Sequence, residues 1–222
     1  RSNGLIGTAQ RALAARGLRQ WAAMETVNDA VWYGQLKRTE YGRLFRAHAA
    51  TLLGVLANGH RMVDWVAARG MPADSVFPFA YFLPDLNPSV VERERESRPY
   101  RFIFVGQLIP RKRVDWLISA LGGLTNLAFE LWIVGSGHEE SALRTLAARR
   151  LAGRERWIGQ LPLSEVPSVM SQVDCLVLPS VHDGWGAVAS EALMAGTPVI
   201  CSDTCGVAGV VRTSGVGGVF PV

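Results

Sequence analysis

Residues 179–203 read PSVHDGWGAVASEALMAGTPVICSD, and the architecture of the chain follows from the order in which this stretch is built. Ahead of it lies a short apolar run, Cys175, Leu176, Val177 and Leu178, stopped by Pro179. That pattern predicts a fully buried strand of a parallel sheet. A loop carrying Asp183, Gly184 and Gly186 comes next. It is followed by residues 187–195, where Val188, Ala192 and Ala195 recur at helical spacing until Gly196 supplies a left-handed stop. Strand, glycine loop and helix in series leave the first-turn N–H groups of the helix facing the loop, where glycines let a ligand approach the backbone. A phosphate group suits that position. Glu191, about one turn inside the helix, is placed to accept hydrogen bonds from sugar hydroxyls beyond the phosphate, so the chemistry suggested is nucleotide binding.

Working outward, segments 101–105, 129–134, 156–158, 175–178, 198–201 and 216–220 read as strands, with helical periodicity between most of them, as in Val114, Leu117, Ile118 and Leu121. Strand-helix repetition at this pitch implies right-handed crossovers and a doubly wound, Rossmann-like parallel sheet of the α/β class. Gly106, Gly135, Gly159 and Asp183 then all fall at the carboxyl ends of strands, the edge where such sheets bind ligands. The chain is divided as 1–84, a partial N-terminal domain; 85–100, a linker with Pro88 and the polar run ERERES; and 101–222, the main domain. Residues 1–50 read as amphipathic helices, 51–57 as a strand without neighbours on its apolar face, 60–68 as a helix and 76–82 as a second extended segment.

Three stretches together carry a family resemblance. They are FVGQLIPRKRVDWLISAL from Phe104, LWIVGSGHEESALRTL from Leu131, and Asp183 with seven residues before Glu191, flanked by Gly-Trp-Gly and Gly-Thr-Pro-Val. In this order and spacing the chain resembles the C-terminal, donor-binding domain of retaining glycosyltransferases of the GT-B fold, family 4, with the end of the N-terminal, acceptor-side domain ahead of it. The resemblance implies transfer of a sugar from a nucleotide-diphosphate-sugar to the hydroxyl of a sugar or glycolipid acceptor, with retention, in polysaccharide or glycoconjugate biosynthesis. It implies catalytic roles for Asp183, Lys112 and Glu191. The donor cradle it implies comprises Gly106, Gln107, Lys112, Gly135, Gly137, Gly184, Trp185, Gly186, Ala187 and Glu191, with no metal site and no cofactor beyond the donor itself. The sequence departs from the pattern twice: the first acid is Asp183 where glutamate is usual, and Gln107 stands where the family has an arginine.

Other readings of these residues stay open at this level. Gly135-Ser136-Gly137 lacks the third glycine of a dinucleotide fingerprint, so it is either a turn the donor approaches or merely a tight strand-to-helix connection. Trp185 could pack the core, Asp183 could cap a turn, and Arg111 and Arg113 could be solvated. The same cradle would serve a GT-B epimerase or phosphorylase, or a non-catalytic sugar-nucleotide-binding module.

Composition narrows the classes further. The 222 residues are 49% apolar, enough for one large core or two modest ones, and carry a net charge of +4. Basic residues at 144, 149, 150, 154 and 156 read as a solvated helix face, with peripheral contact to an anionic membrane as the alternative. No aromatic-basic interleaving or nucleic-acid-binding signature is present. Of Cys175, Cys201 and Cys205, the first two fall in expected core strands, so the cysteines read as buried thiols of a cytoplasmic protein rather than a disulfide or metal site, the inner face of the membrane being the alternative location. The first residue is Arg1 and the last is in a strand-like run, so the chain reads as a piece of a longer protein, expected to bind a nucleotide without transferring sugar.

Overall fold

The computed structural model describes residues 4–83 and 98–222; most of the expected linker lies outside the described residues. The chain forms two compact units that divide between Tyr81 and Phe82.

The larger unit contains β4 (Tyr100–Val105), α4 (Val114–Gly122), β5 (Phe129–Val134), α5 (Glu140–Arg150), β6 (Glu155–Gly159), α6 (Val166–Met170), β7 (Cys175–Leu178), α7 (Ala187–Met194), β8 (Val199–Ser202), α8 (Ala208–Ser214) and β9 (Gly217–Phe220). The strands form one sheet in the order β6-β5-β4-β7-β8-β9, and every neighbouring pair is parallel. Helices flank the sheet, and its inner strands are correspondingly apolar and covered: β7 is buried at all four positions and β5 at all but Glu130. Phe104, Leu108, Ile118, Leu131, Ile133, Leu143 and Leu151 belong to a single buried cluster that joins β4 and β5 to α4 and α5.

Strand order reverses once. The chain runs outward through β4, β5 and β6, then crosses to place β7 on the other side of β4 and continues through β8 and β9. In parallel α/β sheets the place where strand order reverses, here between β4 and β7, is where ligand crevices form. The lower ends of the same two strands are clamped by a buried charge. Asp174, 2% exposed, takes a bidentate pair from Arg98 at 2.6 and 3.0 Å and the Arg101 backbone N–H at 2.8 Å.

The smaller unit corrects the sequence reading. Besides α1 (Gly4–Ala15), α2 (Gly34–His48), β2 (Leu52–Asn58), α3 (Met62–Ala67) and β3 (Val76–Phe79), it contains a strand, β1 (Gln20–Met24), within the region expected to be helical. The order is β1-β2-β3, all parallel, so β2 is the central strand and is paired on both sides. The expectation that its apolar face lacked partners is overturned. Phe45, Val55, Ala57, Met62, Val66, Met71 and Val76 fill a core beside it. The second extended segment is strand only as far as Phe79.

Candidate functional site

The site grows from the two loops at the strand-order reversal. After β4 the chain passes Gly106, Gln107 and Leu108 into a 3-10 turn, Pro110–Lys112, and Arg113 then takes a left-handed conformation (φ 51°) to start α4. After β7 it passes Ser180 to Gly186, whose φ of 86° sets the first turn of α7. The two loops are bonded to each other. Val181 donates its N–H to the Arg111 carbonyl at 2.9 Å, Arg111 donates Nη1 to the His182 carbonyl at 3.1 Å, and Lys112 Nζ meets Asp183 Oδ2 at 2.5 Å. Two residues separated by 71 positions thus form an ion pair whose side chains are only 12% and 13% exposed. The Asp183 carboxyl carbon lies 3.9 Å from the point where a Gly186 Cβ would stand, and the Lys112 Cε 4.0 Å from the corresponding point of Gly106. The ion pair is therefore seated between the glycine after β4 and the start of α7.

Glu191 lies on α7, roughly 7 Å further along the axis than Gly186 at 1.5 Å per residue. Its carboxylate is half-buried and has no hydrogen bond or ion pair among the described residues. Burial alone pushes its pKa above the ordinary 4.5. A half-dry carboxylate without donors is poorly accommodated by the protein itself and suits a ligand that brings hydroxyls. Ala187 is exposed at the first turn of the same helix, and Gln107 is exposed on the β4 loop, its amide unpartnered among the described residues.

Other expected residues also pack against the protein itself. A Cβ on Gly135 (φ 129°) would lie 1.9 Å from the Gly106 carbonyl oxygen, and one on Gly137 would lie 2.2 Å from that of Leu108. These glycines let the β5 loop press against the β4 loop, held by Leu108 N–H donated to Ser136 O and Glu139 N–H donated to Leu108 O. Both positions make a tight connection between the two loops. Trp185 is buried and donates its indole N–H to Ser190 Oγ at 3.1 Å, which fastens the glycine loop to α7. Gly184 backs the same loop: its carbonyl oxygen would be 2.2 Å from a Cβ on Gly206.

Sequence reasoning missed a polar buttress behind Asp183. Ser202 and Thr204 hydroxyls both donate to the Ser180 carbonyl, at 2.5 and 2.8 Å, and the Gly206 N–H donates to the Asp183 carbonyl at 3.1 Å. The signal was present as Ser, Asp, Thr and Gly clustered immediately after a strand, a composition that favours side-chain-bonded turns. Cys175, Cys201 and Cys205 are all buried free thiols. Burial pushes Cys175 up to about 11. A cavity of about 510 Å³ lies in the smaller unit, lined by residues that include Gln20, Met24, Lys37, Tyr41 and Phe45; none of the crevice residues lines it.

A parallel sheet with one reversal of strand order, an ion pair between the two loops at the reversal and a helix N-terminus beside it define an α/β protein with a ligand crevice of the nucleotide-binding type. Residues 90–222 match the family of glycosyl transferases group 1, and the chain belongs to that family. It is 35% identical over 115 residues to the 2-deoxystreptamine glucosyltransferase of Streptomyces kanamyceticus, and 33% identical over 117 residues to the glycogen synthase of Mycobacterium tuberculosis. These alignments cover 50% and 51% of this chain but 29% and 28% of the relatives, so the matched part is under a third of each. Among solved structures, the apo form of the lipopolysaccharide outer core galactosyltransferase WaaB superimposes with a TM-score of 0.72 at 21% identity, covering 97% of this chain and 65% of WaaB. HepE of Anabaena in complex with UDP gives 0.79 at 17% identity, with 96% and 61% covered. The fold is the parallel α/β architecture of these GT-B glycosyltransferases.

Proposed function

We propose that the whole protein transfers a sugar from a nucleotide-diphosphate-sugar to an acceptor hydroxyl with retention of anomeric configuration, as a family 4 enzyme of polysaccharide or glycoconjugate synthesis. Residues 101–222 bind the donor and residues 1–84 belong to the acceptor side. The carrying observation is that Lys112 meets Asp183 at the strand-order reversal, beside the N-terminus of α7. HepE is described in complexes with UDP and with UDP-glucose, which supports a nucleotide-sugar as the ligand of this crevice.

In this reading Gly106 and Gly186 leave room for the diphosphate, the exposed start of α7 at Ala187 presents N–H groups to it, and Glu191 accepts hydrogen bonds from the ribose. Asp183 contacts the donor sugar. As the glycosidic bond breaks, the leaving diphosphate gains negative charge; Lys112 and the α7 dipole stabilise it, and Gln107 adds a donor without charge. No metal or cofactor has a part in the proposal. The acceptor is a sugar or glycolipid hydroxyl, and the free buried thiols agree with a cytoplasmic location.

Thermal unfolding in the presence of UDP, GDP and ADP sugars tests this reading. A ligand at 100 times its dissociation constant adds about 2.7 kcal/mol to stability, enough for a clear upward shift. Failure of the whole panel to shift unfolding would overturn it.

A further inference from the structure

We infer that Arg111 is a second diphosphate-binding cation of this crevice, an inference that rests on reading the crevice as a nucleoside-diphosphate site. Lys112 brings one positive charge, but Asp183 holds it at 2.5 Å with both side chains largely buried. Glu191 brings a second carboxylate. With both acids ionised, these three residues carry a net negative charge before any ligand arrives. A diphosphate brings at least two more negative charges. The helix dipole of α7 offers about half a positive charge at its N-terminus, too little to reverse the sign. Another cation has to face the ligand.

Two arginines flank Lys112 on the β4 loop, and the structure distinguishes them. Arg113 is engaged: its Nη2 bonds Asp115 at 2.8 Å, its guanidinium lies 4.0 Å from the centre of the Trp116 ring, and its backbone makes the left-handed turn into α4. Arg111 is exposed, and its side chain is laid across to the β7 loop, where Nη1 donates to the carbonyl of His182, the residue immediately before Asp183. Its own carbonyl accepts the N–H of Val181, so backbone and side chain fix it to the same loop from both ends. One guanidinium nitrogen is used. The other donors of the planar fork are unbonded among the described residues and stand ready for a bidentate contact with phosphate oxygens. The His182 carbonyl thus stations a positive charge beside the ion pair, and Gln107, the exposed polar side chain on the same loop, cannot supply that charge.

Calorimetric titration of the 222-residue chain with UDP, GDP or ADP, whichever it binds best, and with the matching nucleoside tests the inference. The comparison uses the wild type, Arg111→Gln, Arg111→Lys and, as a charge-matched control on the exposed face of α5, Arg149→Gln. Arg111→Gln should weaken the diphosphate roughly tenfold, leave the nucleoside unchanged and flatten the salt dependence of diphosphate binding. Arg111→Lys should recover part of the loss, and Arg149→Gln should behave as wild type. Unaltered diphosphate affinity in Arg111→Gln overturns the inference while leaving the site's assignment intact. Equal loss for diphosphate and nucleoside also overturns it, because the residue would then be shaping the loop. If the wild type binds none of the three diphosphates, the reading of the crevice and this inference fall together.

Discussion

The Glu191 carboxylate is held half out of water with nothing among the described residues bonded to it, and two opposing consequences follow. Burial raises its folded-state pKa, so the ligand-free chain is favoured when this acid is protonated. That contribution is fully present below the ordinary value of 4.5 and is lost as pH rises through the raised folded value. A ribose hydroxyl, by contrast, is best accepted by the ionised form, so donor affinity should rise over the same interval. Glu191→Gln is therefore expected to unfold at a higher temperature than wild type at neutral pH, with the gap closing in acid. The same variant should bind nucleotide roughly ten- to a hundredfold more weakly by calorimetry. Loss of binding without the gain in stability would mean that the carboxylate is satisfied some other way. Lys112→Gln is the matching experiment on the phosphate side. It should weaken a nucleoside diphosphate much more than the bare nucleoside, and equal losses would remove the lysine from the phosphate contact.

The loops and strands behave according to how much of their geometry is local. Gly135 cannot carry a side chain, since a Cβ would stand 1.9 Å from the Gly106 carbonyl and the backbone is at φ 129°. Gly135→Ala should destabilise the chain by on the order of 3 kcal/mol. Gly153→Ala, also at positive φ but with nothing within 4 Å, should lose only about 1 kcal/mol. Urea midpoints of the two variants give the comparison. Asp183 was legible in the sequence because repeated strand-helix alternation brings such glycine loops to one edge, and Lys112 because its segment resembles the family's donor motif. The roles of Gly135 and Gly137 were not, because the neighbour that excludes a side chain there is another loop. β1 was hidden for a related reason. Gln-Trp-Ala-Ala-Met has no β-branched residue, and it becomes a strand by pairing with β2 from Gln20 opposite Leu52 to Met24 opposite Ala57. Arg111 looked like any solvated arginine until its partner, 71 residues away, was in place.

At the scale of the molecule, each unit has its own core, and every residue of the proposed donor cradle lies in the larger one. Residues 98–222 alone should fold and keep the nucleotide affinity of the full chain, since Arg98 and Asp174 supply the clamp at the foot of the sheet. A large drop in affinity on truncation would show that the smaller unit takes part in donor binding. The smaller unit has a different property, which comes from its two outer strands. β3 contains Pro78, which has no N–H to offer a further strand. β1 contains no proline, and nothing among the described residues pairs its outer edge. A sheet that can extend past β1 but is interrupted at Pro78 can add one copy of itself edge to edge and then grows no further. Sedimentation of this chain at rising concentration should accordingly reveal closed pairs of molecules and no fibres.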